Sequence, residues 1–120
     1  MTTGSYKIAT LVFLEDAWRR QILLKRKRPP NEGLWTPIGG KLDTASGESP
    51  AQCALREAWE ETGNALDPGA LHMFGYLAEA NYENAGHWLV FLFHYREPIE
   101  RLPDPIDEGV FGCHALEDVL

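Results

Sequence analysis

The sequence predicts one α+β or α/β/α unit, and three observations carry that expectation. A single strongly signalled helix sits among several strand-like runs. One of those runs is apolar on both faces, and 120 residues supply one core but not two domains. Composition agrees: 44% hydrophobic, 11% aromatic and 24% charged residues describe an ordinary globular chain and set aside disordered and low-complexity classes. No internal repeat or linker interrupts it.

The elements follow in chain order. Residues 8–15 are apolar and β-branched up to Glu15-Asp16-Ala17, and 21–25 form a second such run, so the two predict an antiparallel hairpin. Arg28-Pro29-Pro30-Asn31-Glu32-Gly33 is dense in turn formers and predicts an exposed loop. Residues 34–42 read as one short strand holding Trp35, Ile38 and a Gly39-Gly40 pair that lets another group approach the backbone. Ser49 as N-cap, Pro50 at N1 and Gln52 at N3 start a helix over 50–62, which Gly63 ends. Ala51, Ala54, Leu55, Ala58 and Thr62 give it an apolar stripe toward the core. After the turn at Asp67-Pro68-Gly69 come strand runs at 71–82 and 87–96. Trp88-Leu89-Val90-Phe91-Leu92-Phe93 in the second predicts a central strand covered on each side. Residues 97–109, with three prolines, form a long loop; 110–115 is the final strand, and 116–120 resembles the first turn of a helix.

Charge narrows the function. Eleven basic against eighteen acidic residues give a net charge of −7, which argues against a bare nucleic-acid polymer or an anionic membrane as partner. Cys53 and Cys113 lack metal or redox spacing and read as reduced, buried thiols. The amino-terminal residues carry no leader pattern and no run is long enough to span a membrane, so a soluble, cytoplasmic protein is expected.

The acidic excess has one conspicuous concentration. On a helix Glu57, Glu60 and Glu61 stand at i, i+3 and i+4, crowding three carboxylates on one side. Arg56 is the only basic residue within the helix, and basic side chains are not placed to offset the repulsion. A hard divalent ion, Mg²⁺ or Mn²⁺, suits an all-oxygen donor set completed by water and substrate phosphate.

At this point the chain resembles the Nudix (MutT-like) hydrolase family. The match runs Gly40, Glu48, then Arg56-Glu57-Ala58-x-Glu60-Glu61-x-Gly63, a motif over about 40–64 of a domain spanning 1–120. Three departures are visible: two extra residues before Glu48, the small Ala58 and the polar Asn64. The resemblance implies an α/β/α sandwich around a mixed β-sheet. It also implies metal binding by Glu57, Glu60 and Glu61 with the Gly39 carbonyl, and an Arg56–Glu48 pair bracing loop against helix. Gly40 and Gly63 are structural in the motif. Many relatives add a late carboxylate, for which Glu108 is the candidate, and the general base is drawn from Glu57, Glu60, Glu61 and Glu108.

Six of the eleven basic residues lie within 19–28, where they either face phosphate or solubilise an edge. The resemblance favours Arg26 or Lys27 near the phosphates, and Arg26, Lys27, Trp35 and Lys41 make up the expected substrate-binding set. Trp35, Tyr82 and Trp88 serve either as stacking surfaces or as core. His72, His87, His94 and His114 show no metal spacing, with His87 placed to edge the pocket. The implied reaction is divalent-metal-dependent hydrolysis of a phosphoanhydride. The favoured substrate is a damaged nucleoside triphosphate such as 8-oxo-dGTP, released as monophosphate and pyrophosphate. ADP-ribose, dinucleotides and dinucleoside polyphosphates are alternatives, as is a sensor that binds a nucleotide without turnover. Many relatives dimerise, which leaves room for a homodimer.

Overall fold

The computed structural model describes residues 5–29, 31–81, 86–115 and 117. Among them strands run as β1 (Tyr6–Glu15), β2 (Gln21–Arg26), β3 (Trp35–Thr36), β4 (Ile38–Lys41), β5 (Leu71–Glu79), β6 (His87–Tyr95) and β7 (Gly109–His114), and the helix α1 is Pro50–Thr62. The expected single α/β unit with a mixed sheet is present: β1 pairs in parallel with β6 along its length and antiparallel with β4 and β2.

The β1–β2 hairpin forms where expected, turned by Asp16, whose carboxylate accepts from the Trp18 and Arg20 backbone N–H groups at 2.9 Å. The two strands share only the pairs Leu14↔Ile22 and Glu15↔Gln21 before they part. β2 then pairs with β3 and β7, while β1 continues between β4 and β6. Residues 34–42 are therefore two strands rather than one. Pro37, which lacks an N–H, marks the step from pairing with β2 to pairing with β1.

The helix occupies its expected span. Ser49 and Gln52 form a capping box, and Gly63 closes the helix at φ 74°, its N–H donating to the Trp59 carbonyl at 3.0 Å. Its buried positions are Cys53, Ala54, Ala58 and Glu61. Ala51 is exposed, so the inner face is rotated from the expected alanine stripe and carries one glutamate inward. Small side chains at 54 and 58 let the helix lie close on β4 and β1, against Val12 and Ile38, which are fully buried.

β6 is central in pairing, between β1 and β5, but its cover falls short of the expectation. Only Phe93 and Tyr95 of β6 are buried, and Met73, Phe74 and Tyr76 of β5 are at least half exposed. The reason is that α1 packs over β4 and β1, on one side of this pair. Of the helix start expected at 116–120 only Glu117 is described, as helical; Tyr82, Asn84, Ala85 and Pro30 lie outside the described residues. No helix among the described residues is long and apolar enough to cross a membrane.

Candidate active site

The glycine pair of β4 sets the site. Gly39 has φ 155°, and a Cβ there would run into the Thr10 carbonyl; a Cβ on Gly40 would run into the Glu57 carboxylate. Gly39 therefore needs glycine for the sheet, whereas a side chain at Gly40 would have to move the end of the Glu57 side chain. The Gly39 N–H donates to Glu61 Oε2 at 3.1 Å, tying the inward glutamate of α1 to the strand edge.

Arg56 organises the opposite side. Its Nε donates to Glu48 Oε2 at 2.7 Å and its Nη2 to Glu48 Oε1 at 2.9 Å, a two-pronged pair, while Nη2 also reaches the Lys41 carbonyl at 3.0 Å. Glu48 Oε1 accepts in addition from the Asp43 N–H at 2.9 Å, so the longer loop before the helix is gathered onto one guanidinium. These Arg56 hydrogen bonds hold the Glu48 carboxyl down at about 2. The remaining nitrogen, Nη1, bonds Glu57 Oε1 at 2.9 Å and Glu60 Oε2 at 3.1 Å. The expectation that no basic side chain offsets the acidic crowd is thus corrected. Arg56 spans two of the three carboxylates: helix spacing brings Glu60, four residues on, beside it, and the same Nη1 also reaches the adjacent Glu57.

A cavity of about 500 Å³ opens beside these elements, lined by Gly39, Gly40, Lys41, Glu57, Glu61, Arg26 and Glu108 among others. Burial, with the Glu57 charge beside it, pushes the Glu61 carboxyl up to about 8. Burial raises Glu57 as well, against the pull of Arg56. Glu60 points elsewhere: its side chain is 52% exposed and bonded to Arg56, outside the cavity lining. Lys27 and Trp35, expected at the substrate, are not in the lining either. Lys27 donates its backbone N–H to the Glu108 carbonyl at 2.8 Å, and Trp35 packs edge-on against His114 with ring centres 4.4 Å apart. His87 meets Tyr6 rather than the cavity, and His94 bonds Glu15.

The cavity also recruits Thr10, Asn31, Glu79 and Trp88. Trp88 stood among the stacking candidates; the other three were missed. Period-two alternation offered a signal for Glu79, because Leu77 and Glu79 share one face of β5 opposite Val90 and Trp88 of β6, and all four line the cavity. Among the described residues, no three acidic, histidine or cysteine side chains stand together as a ready metal cage.

A mixed sheet, a capped helix bearing the carboxylates and a glycine strand beneath them agree with the family match, which is that of pyrophosphate-bond hydrolases. The chain belongs to the Nudix family: the NUDIX domain matches residues 5–119. Its members act on nucleoside diphosphate-linked substrates. The fold is similar to that of a MutT protein from Methanosarcina mazei, at 21% identity and TM-score 0.82 over 100% of this chain and 84% of that one. It also resembles a MutT NUDIX hydrolase from Burkholderia pseudomallei, at 25% identity and TM-score 0.76 over 95% and 86%. A bifunctional NMN adenylyltransferase/ADP ribose pyrophosphatase from Francisella tularensis, complexed with AMP and a Mn ion, matches at 21% identity and TM-score 0.73 over 97% and 36%. A curated relative, an octanoyltransferase from Myxococcus xanthus, is 51% identical over 43 residues, 36% of this chain. That stretch is only 12% of the relative's own length.

Proposed function

We propose that the chain is a divalent-metal-dependent pyrophosphohydrolase acting on a nucleoside triphosphate, of the kind that removes damaged precursors such as 8-oxo-dGTP, and releasing monophosphate and pyrophosphate. The observation that carries it is the meeting of Glu57 and Glu61 over the β4 glycines in one cavity with Arg26 and Glu108. Residues 1–120 are read as one hydrolase domain, with its motif at about 40–64 and two inserted residues before Glu48.

The donor set fits a hard ion, Mg²⁺ or Mn²⁺. Glu61 is a buried carboxylate whose ionised form needs a counter-charge, Glu57 faces the same cavity, and the Gly39 carbonyl adds a neutral oxygen donor. Glu60 would complete the set once Arg56 releases it. Such an ion supplies charge neutralisation and a more acidic water. In the hydrolysis, a water oxygen bonds to phosphorus, the bridging P–O bond breaks, and the water's proton passes to a carboxylate of the Glu57, Glu60, Glu61 and Glu108 set. Arg26 and Lys41, both in the cavity lining, steady the phosphates.

ADP-ribose is the second substrate class, favoured by the AMP-bearing structure of the Francisella protein named as an ADP ribose pyrophosphatase. Phosphate and pyrophosphate release over a panel of normal and oxidised nucleoside triphosphates, ADP-ribose and dinucleotides separates the two. Turnover is expected to require Mg²⁺ or Mn²⁺, to vanish in Glu61→Gln and to fall at least a hundredfold in Glu57→Gln, on the order of one lost electrostatic contact to the transition state. Unchanged turnover in Glu61→Gln with Mg²⁺ present refutes the assignment. A silent panel with tight nucleotide binding identifies a sensor instead.

A further inference from the structure

Trp88 lies on β6, with β1 between it and the β4 glycines that the carboxylates cover. Lys7 is its register partner on β1, and Lys41 is the partner of Ala9, two residues further along the same face. The small Ala9 leaves Lys41 a clear path across the sheet. Both amines come to rest over the indole, Lys7 Nζ at 5.2 Å and Lys41 Nζ at 5.7 Å from the ring centre. No carboxylate among the described residues ion-pairs with either amine. The indole Nε1 is buried and has no hydrogen-bond partner among the described residues.

The indole N–H is a buried donor without an acceptor among the described residues, and the two exposed ammonium groups are donors that meet water and the ring but no carboxylate. The ammonium groups engage the π-face, which leaves the in-plane N–H unserved, and they repel each other. A chain of net charge −7 has collected two unpaired cations and an orphaned donor around one ring at the cavity wall. An acceptor-only, anionic ligand satisfies all three.

We propose that Lys7, Lys41 and the Trp88 indole N–H form an oxyanion subsite that holds a phosphoryl group of the substrate other than the linkage being cleaved. The assignment rests on the nucleotide hydrolase reading above. An oxyanion drawing the two ammonium groups together moves them off the ring and opens Nε1 to the same ligand. It also changes what Trp88 is for: its π-face is occupied by cations, so it grips phosphate from its edge rather than stacking on a base. The oxyanion has two sources, the terminal phosphate of a polyphosphate chain or a phosphate monoester on the sugar.

Calorimetric titration of the full chain tests this independently of turnover, and so separates its failure from failure of the hydrolase reading. Two ligand pairs differ by one phosphate each: tripolyphosphate against pyrophosphate, and adenosine 2′,5′-bisphosphate against 5′-AMP. In one pair the extra phosphate is expected to tighten binding about fivefold, the size of one exposed charge pair. That advantage disappears in Lys7→Gln and returns in Lys7→Arg, and the pair that shows it identifies the source. Lys7 is exposed, so the variant keeps the fold. Binding of the preferred ligand also changes tryptophan fluorescence in the wild type and not in Trp88→Phe. No advantage in either pair, or an advantage that survives Lys7→Gln, overturns the subsite.

Discussion

Gly40 has no room for a side chain, because the Glu57 carboxylate occupies the place where a Cβ would stand. Gly40→Ala therefore displaces the Glu57 carboxylate from its place at the cavity, with little cost to the fold because only the end of a flexible side chain has to move. The expected result is a large fall in kcat with a modest drop in melting temperature, read by release assay and thermal unfolding of the same sample. Full activity in Gly40→Ala would mean that Glu57 works from another position. The Gly39-Gly40 pair was legible in the sequence as a place of close approach, but what approaches it was not. Likewise the glutamate spacing gave the acidic face of the helix. It did not reveal that Arg56 holds Glu60 outward while Glu61 turns in, since that choice depends on the loop bearing Glu48. Trp35 and Lys27 stand outside the cavity lining, because residue type signals stacking or charge without saying which face of a strand or loop it occupies.

α1 shows the same division at the scale of an element. Its span, capping box and glycine stop are set by neighbours within a few residues, so sequence alone placed them. Ser49→Ala should cost about 1 kcal/mol, measurable by urea unfolding, because the Gln52 N–H loses its acceptor. Rotation of the inner face was not legible, because it is fixed by Thr10 and Gly40 of other strands, which meet Cys53 through its Sγ. The split of 34–42 into β3 and β4 has a similar origin: Pro37 was visible, but the change of pairing partner needs β1 and β2 to diverge. The loop before α1 depends on one ion pair. With Glu48 held at about 2 against an ordinary 4.5, its contribution is complete above pH 4.5 and fades as pH falls toward 2. Glu48→Gln should remove that acid sensitivity and loosen residues 43–48, seen as faster amide exchange at Asp43.

Across the whole molecule Glu48 and Glu61 act in opposite directions. Glu61, raised to about 8 by burial, binds a proton in the folded chain that the unfolded chain releases near 4.5. Stability of the metal-free protein is therefore highest on its account below pH 4.5 and declines as pH rises toward 8. Thermal unfolding in chelator should show that decline, Glu61→Gln should flatten it, and the gain from added Mg²⁺ should grow from pH 5 to pH 8 as the carboxylate ionises. A Mg²⁺ gain that is constant over this range would place the ion elsewhere. The general architecture was legible because strand and helix periods and the motif are local, whereas the incomplete cover of β5 and β6 was not, since an apolar run does not say what lies over it. The parallel pairing of β1 with β6 has a further effect in time. It joins the first strand to one made some eighty residues later, so on a chain growing from the ribosome β1 waits for its principal partner. Contacts of such long sequence separation slow folding. Val12 and Leu14 remain without the Phe93 side of their core through that interval, and the floor of the candidate cavity is completed only after the helix that carries its glutamates has been synthesised.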